Sequence, residues 1–431
     1  NFMTLYRCLF ALVSLTLSSF AHAQAGKPYV IMVGIDGLRP TSVTQNNMPN
    51  LYTLGQQGVT AKSMTPAMPT KTFVNFYSIA TGLHPEHHGI VSNYPFDRQL
   101  NRKFSRNTDA TDPYWWDGEP IWITAERQGL KAATYFWVGS EVDINGVRPS
   151  YRKTYNQNKD YAERVTEVLQ WMSLPESQRP HLVTLYFSAV DSAAHDFGVN
   201  SKEEQSAIKR IDQHVGELLS GLRNLPVHQD INVVVVSDHG MIDLSPERVI
   251  NLNSFVNWSD FVISDWGKDT SSVFSPFLNL YGELSHVDSA YQALTMNPIA
   301  HLRVIKRPAL AQKYHFNHPQ RGPDLMLLAD PGWSIYASQD ESQPNVSTLT
   351  HTATHGYDNQ APEMAATFIA NGPAFAKQTT SNRFDNIEVY NLIACALGIK
   401  PAKNDGDMLN VRHILSAQKQ SCLAEHCVSL G

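Results

Sequence analysis

Three strongly apolar runs in this chain are each followed, within a few residues, by acidic and imidazole side chains. Tyr29-Val30-Ile31-Met32-Val33-Gly34-Ile35 leads into Asp36, and residues 231–237, with four valines in a row, lead into Asp238-His239-Gly240. Leu182-Val183-Thr184-Leu185-Tyr186-Phe187 is followed by Asp191 and His195. Runs this short and this continuously apolar fit strands covered on both faces, the pattern of a parallel sheet. At the carboxyl ends of such strands lies the crevice in which open α/β sheets bind ligands. The polar residues therefore fall where they can converge.

The rest of the chain follows the same rhythm. Strands are expected over 28–35, 131–136, 181–187, 231–237, 301–305, 324–329 and 365–370. Amphipathic helices are expected over 160–173 and 203–223, where apolar residues recur at helical spacing. Strands alternating with helices give an α/β fold, a mostly parallel sheet with helices on both faces. Segments 94–118 and 253–272, rich in Asn, Asp, Pro and Trp, read as surface insertions that shape a site. No linker or internal repeat divides the chain, so residues 24–431 are expected to form a single domain.

The first 23 residues read as a signal peptide. Arg7 precedes the apolar run Leu9 to Leu17, and Ala21-His22-Ala23 is a small-residue cleavage site. The run is too short to span a bilayer comfortably. The expected mature protein is exported, periplasmic or secreted, with no transmembrane segment. A formal net charge of −6 argues against a basic footprint for polymeric nucleic acid. Cys395, Cys422 and Cys427 allow at most one intrachain disulfide, and no C-x-x-C pair offers a thiolate metal site.

Seven groups carry the chemistry. Asp191 and His195 are spaced i, i+4, so on a helix both reach one cation; the plain alternative is a local ion pair. Asp238 and His239 point in different directions and can each ligate. Asp36 can bridge two cations or cap a helix. Thr72, in Pro69-Thr70-Lys71-Thr72-Phe73, opens a helical stretch. Its hydroxyl there is either an N-cap or a nucleophile in the positive field of a helix N-terminus. His355 lies in a Gly-Tyr-Asp-Asn turn, with His351 a competing H-x3-H partner; His84, His87 and His88 read as solvated loop residues. Three nitrogens and four oxygens match two borderline cations such as Zn²⁺.

The order of these segments resembles the nucleotide pyrophosphatase/phosphodiesterase family of the alkaline phosphatase superfamily. The resemblance spans most of residues 28–415. It takes in Pro69-Thr70-Lys71-Thr72-Phe73, Thr81-Gly82-Leu83 with His88-Gly89-Ile90, Phe136-Trp137 with Gly139-Ser140, and Ile144-Asn145-Gly146. It continues through Asp191 to His195, Ser237-Asp238-His239-Gly240-Met241 and His355-Gly356-Tyr357-Asp358-Asn359. It implies an alkaline-phosphatase-like fold and a catalytic-domain-only member. It also implies zinc-dependent hydrolysis of nucleotide phosphodiester or pyrophosphate bonds, releasing 5′-nucleotides through a covalent phosphothreonine at Thr72. Asp191, His195 and His355 would hold one Zn²⁺, and Asp36, Thr72, Asp238 and His239 the other. Asn93 would donate to a phosphoryl oxygen. Phe73 and Tyr155 would stack a nucleobase, with Trp137 lining the same pocket.

Two departures stand out. Val74 and Phe76 replace the Pro and His of the common Thr-Phe-Pro-Asn-His string, and Tyr94 follows Asn93 where many relatives carry Lys or Ser. A choline-phosphodiester or lysophospholipid hydrolase is the nearest alternative, since an aromatic cage also holds a quaternary ammonium. A phosphate monoesterase is disfavoured by Thr72 and Asn93, and a non-catalytic binding protein by the complete ligand set.

Overall fold

The computed structural model describes residues 28–265, 272–338, 343–345 and 351–421. The central sheet has eight strands: β1 (Tyr29–Ile35), β2 (Val59–Ala61), β3 (Ala132–Tyr135), β4 (Tyr151–Lys153), β5 (Leu182–Phe187), β6 (Ile231–Val236), β7 (Phe368–Asn371) and β8 (Thr379–Ser381). Their spatial order is β8-β2-β7-β6-β1-β5-β3-β4. β1 lies between β5 and β6 and is parallel to both, with Gly34 level with Tyr186 on one side and Val236 on the other. Every residue of these three strands is buried, in keeping with their largely apolar character. Only β7 runs antiparallel to its neighbours.

Helices cover the sheet. α1 (Thr72–Thr81), α2 (Tyr161–Met172), α3 (Ala189–Phe197), α4 (Lys202–Arg223) and α5 (Glu388–Leu397) are the ones that bear on the site. α2 and α4 match the expected amphipathic stretches. Asp160 caps α2 by accepting from the Ala162 and Glu163 N–H groups, and Ser201 caps α4 by accepting from Glu204. α5 is wholly buried, with Cys395 inside it, and its Glu388 and Asn391 bond Asn410 and Asn404.

Several expectations need correction. The runs at 301–305 and 324–329 are strands, Leu302–Lys306 and Leu325–Ala329, but they pair antiparallel with each other rather than joining the central sheet. With Phe261–Ile263 and Phe277–Gly282 they make a separate four-stranded antiparallel sheet. Apolar runs announce strands without announcing partners. Segment 94–118 is also less superficial than its polarity implies: Phe104, Trp115 and Trp116 are buried. The buried Arg321 ties it down, bonding Asp97 and the Gly89, Tyr114 and Trp115 carbonyls. Trp258 in segment 253–272 is buried too. The expected signal peptide, Cys422 and Cys427 lie outside the described residues. Among the described residues, no helix is long and apolar enough to cross a membrane.

Candidate active site

The strand ends deliver their polar residues to one place. Asp36 leaves β1 as its N–H bonds the Phe187 carbonyl at the end of β5. Gly37 then turns with φ +69, and a Cβ there would lie 3.0 Å from the Asp191 backbone. Glycine thus allows β1 to close against the start of α3, bringing Asp36 and Asp191 into one cluster. Asp238, just beyond β6, accepts the Gly37 N–H at 3.1 Å.

Two groups of side chains result. Asp191, His195 and His355 form one, and Asp36, Asp238 and His239 the other; within each, potential ligand atoms lie within 4.8 Å of one another. His195 Nε2 is 3.3 Å and His355 Nε2 3.7 Å from Asp191 Oδ1. His239 Nε2 is 2.9 Å from Asp238 Oδ2 and 3.4 Å from Asp36 Oδ1. The His239 and His355 rings stack with centroids 3.4 Å apart, so the two groups adjoin.

All three imidazoles are anchored alike. His195 Nδ1 meets the Ala353 carbonyl at 2.7 Å, His239 Nδ1 the Gly240 carbonyl at 2.9 Å, and His355 Nδ1 the Thr70 carbonyl at 2.6 Å. A carbonyl only accepts, so each Nδ1 carries a proton, and in the neutral ring the lone pair lies on Nε2, which faces the carboxylates. That is the tautomer a metal-binding histidine needs. Asp36 Oδ1, Asp191 Oδ1 and Asp238 Oδ2 are buried with no hydrogen-bond partner. Burying three carboxylate oxygens unpaired is costly unless a cation meets them. The donor set fits two divalent cations.

Electrostatics point the same way. Burial, then the nearby Asp191 and Asp238 carboxylates, push Asp36 well above the usual carboxylate range. Burial and Asp191 push Asp238 up to about 8. Burial lowers His239, and burial with the stacked His239 ring lowers His355 further, favouring neutral imidazoles.

Thr72 is the first residue of α1; the N-cap is Lys71, which makes no side-chain cap bond. Its hydroxyl is therefore not spent on capping, and Thr72 Oγ1 lies 3.3 Å from His239 Nε2. Buried Asn75 fixes this helix start by bonding the Ala67, Pro69 and Lys71 carbonyls. Asn93 Oδ1 accepts the Phe73 N–H at 3.0 Å, which orients its amide beside the hydroxyl.

A cleft of 830 Å³ opens over these groups, walled by Phe73, Asn93, Trp137 and Tyr155 among others. Tyr155 is 47% exposed and offers a ring face, whereas Trp137 is 2% exposed and its Nε1 donates to the Phe76 carbonyl. Trp137 is thus a wall rather than a stacking platform. Phe76 is absorbed by the core, edge-on to Trp137 and Tyr186. His88, expected as solvated, is buried against Ser78. His351 does line the cleft, its ring 4.5 Å from that of His195.

Residue types alone did not single out Tyr186, whose hydroxyl donates to Asp36 Oδ2 at 2.6 Å. Thr70 was missed as well: besides its carbonyl on His355, its Oγ1 accepts the Gly356 N–H. Tyr186 carried a faint signal, being a tyrosine at the end of an otherwise apolar strand.

Residues 30–358 match the family model of type I phosphodiesterase / nucleotide pyrophosphatase. The chain belongs to this family. It is 35% identical over 391 residues to human ectonucleotide pyrophosphatase/phosphodiesterase family member 1, covering 90% of this chain and 42% of that protein. It is 37% identical over 393 residues to venom phosphodiesterase 2 of Crotalus adamanteus, covering 90% of this chain and 47% of that one. The chain thus spans less than half the length of these curated relatives. Among solved structures, murine ectonucleotide pyrophosphatase/phosphodiesterase 5 superposes with a TM-score of 0.80 at 30% identity, covering 90% of this chain and all of that one. An inactive threonine-to-alanine variant of the same murine protein, in complex with AMP, gives 0.81. The mostly parallel sheet is that of these family members.

Proposed function

We propose that this chain is an exported, single-domain phosphodiesterase that hydrolyses nucleotide phosphodiester and pyrophosphate bonds and releases 5′-nucleotides. Asp191, His195 and His355 would hold one Zn²⁺; Asp36, Asp238, His239 and the Thr72 oxygen would hold the second. Bound zinc supplies positive charge that makes a threonine alkoxide accessible near neutral pH and stabilises a leaving oxygen. Thr72 Oγ1 attacks phosphorus; the phosphorus–leaving-oxygen bond breaks, the hydroxyl proton passes to solvent, and a phosphothreonine remains. Water then displaces Oγ1, regenerating the hydroxyl and freeing the 5′-nucleotide. Asn93 donates to a phosphoryl oxygen as charge builds there, and Phe73 and Tyr155 stack the base, worth about 1–3 kcal/mol per stack.

The observation that carries this reading is the Thr72 hydroxyl, not spent on capping and 3.3 Å from one of three imidazoles whose Nδ1 atoms are tied to carbonyls. Nitrophenyl esters test it: a nucleoside 5′-monophosphate ester, nitrophenyl phosphate and nitrophenyl phosphocholine, each with and without chelator. Fast, chelator-sensitive turnover of the nucleotide ester is expected. Preference for phosphocholine would shift the substrate class to choline lipids, and preference for the plain monoester would overturn the roles of Asn93, Phe73 and Tyr155.

A further inference from the structure

Arg106 is the odd group in the cleft wall. Its guanidinium lies 4.6 Å from the Phe73 ring centroid and 4.7 Å from that of Tyr94, against two aromatic faces. It lines the same cleft as Asn93 and Tyr155. Its five N–H donors make no hydrogen bond or ion pair with any described residue, unlike Arg102, which pairs with Asp109, or Arg98, which pairs with Asp324. A guanidinium oriented by ring stacking and left with open donors is preorganised for a ligand.

The remaining question is which part of a nucleotide it meets. Phe73 is adjacent to Thr72 and lies under the Arg106 guanidinium, and Tyr155 lines the same cleft. Arg106 therefore borders the space that the base would fill. In-line displacement sends the leaving group, and any distal phosphates with it, to the side of phosphorus opposite the Thr72 oxygen. Guanidinium offers donors only. Guanine presents two adjacent acceptors, O6 and N7, which match the fork bidentately; adenine pairs its N7 acceptor with an N6 donor.

We propose that Arg106 reads the base edge and makes this chain prefer guanine over adenine nucleotides. The proposal deepens the nucleotide reading and rests on it. Bidentate recognition favours guanine by about tenfold or more. With the zinc-loaded protein, kcat/KM for the nitrophenyl ester of GMP is expected to exceed that for the AMP ester by that factor. Arg106→Leu is expected to level the two, and Arg106→Lys, which keeps the charge without the fork, to recover little of the difference. Equal rates for the two esters in the unaltered protein would overturn the proposal, as would an equal loss on both in either variant, the mark of a structural role. A loss seen only with GTP and ATP, and not with the esters, would assign Arg106 to distal phosphates instead. Calorimetric binding of GMP and AMP to the zinc-loaded Thr72→Ala protein tests the preference without turnover. Tighter GMP there, with no hydrolysis by the unaltered protein, would sink the proposed activity and leave Arg106 standing; equal affinities would sink Arg106.

Discussion

At the scale of single residues, the site is a set of orientations more than a set of identities. Thr72 was legible because a hydroxyl opens a helical stretch, but only the backbone shows that Lys71 takes the cap and leaves Oγ1 to face His239. Thr72→Ala removes the proposed nucleophile and nothing that a bound nucleotide stacks on. Turnover is expected to fall by about 10⁴-fold or more, while calorimetry still detects AMP binding; residual activity within tenfold of the parent would refute the phosphothreonine. Tyr186 works one step away, its hydroxyl holding Asp36 Oδ2 so that Oδ1 faces the cluster. Tyr186→Phe keeps the ring that packs against Phe76 and deletes that bond alone. Zinc affinity, measured by chelator competition, is expected to weaken about 10- to 100-fold; an unchanged value would show that Asp36 is held by the backbone alone. The carbonyls behind His195, His239 and His355 had no sequence signature at all. A backbone acceptor is supplied by every residue, so only the fold says which one is near.

At the scale of elements, the close approach of β1 to α3 sets the geometry, and Gly37 permits it. Gly129 is a matched control: its φ is +79, yet a Cβ there meets nothing within 4 Å. Gly129→Ala is expected to cost only the left-handed strain, about 1–2 kcal/mol. Gly37→Ala adds the contact with the Asp191 backbone, so its melting temperature should drop further and its zinc affinity should fall, while Gly129→Ala binds zinc normally. Equal effects would mean that α3 simply shifts aside. The comparison also explains what was readable. β1, β5 and β6 declared themselves because strands buried on both faces are mostly apolar. Leu302–Lys306 and Leu325–Ala329 declared themselves as strands too, but an apolar run does not name its partner. Segment 94–118 misled because its polar residues outnumber the few aromatics that bury. Pairing and insertion packing are long-range outcomes, decided by which surfaces meet.

At the scale of the whole molecule, the fold concentrates negative charge at the carboxyl end of its sheet and leaves it to be neutralised. Asp238 is held up to about 8 and Asp36 well above its usual range, each first by burial and then by neighbouring carboxylates. The sign follows from proton counting. In the unfolded chain these carboxyls lose their protons near pH 4, whereas in the metal-free fold Asp238 keeps its proton up to about pH 8. Between those limits the folded state binds more protons, so metal-free stability falls as pH rises through the window. His195 acts in the same direction: burial lowers its affinity for protons, but Asp191 outweighs that and raises it, so this ion-pair stability is also lost at higher pH. Zinc must displace whatever protons the two groups hold, so its affinity rises with pH, and with it the stabilisation that binding confers. The melting-temperature gain on adding zinc to the chelated protein is therefore expected to be small near pH 5 and to increase steadily toward pH 8. Calorimetry in buffers of different ionisation enthalpy should register proton release on the acid side. A gain that is flat across this range would mean the carboxylates are already ionised without metal. The Asp36, Asp191 and Asp238 carboxylates would then be neutralised by something other than the cations proposed for them.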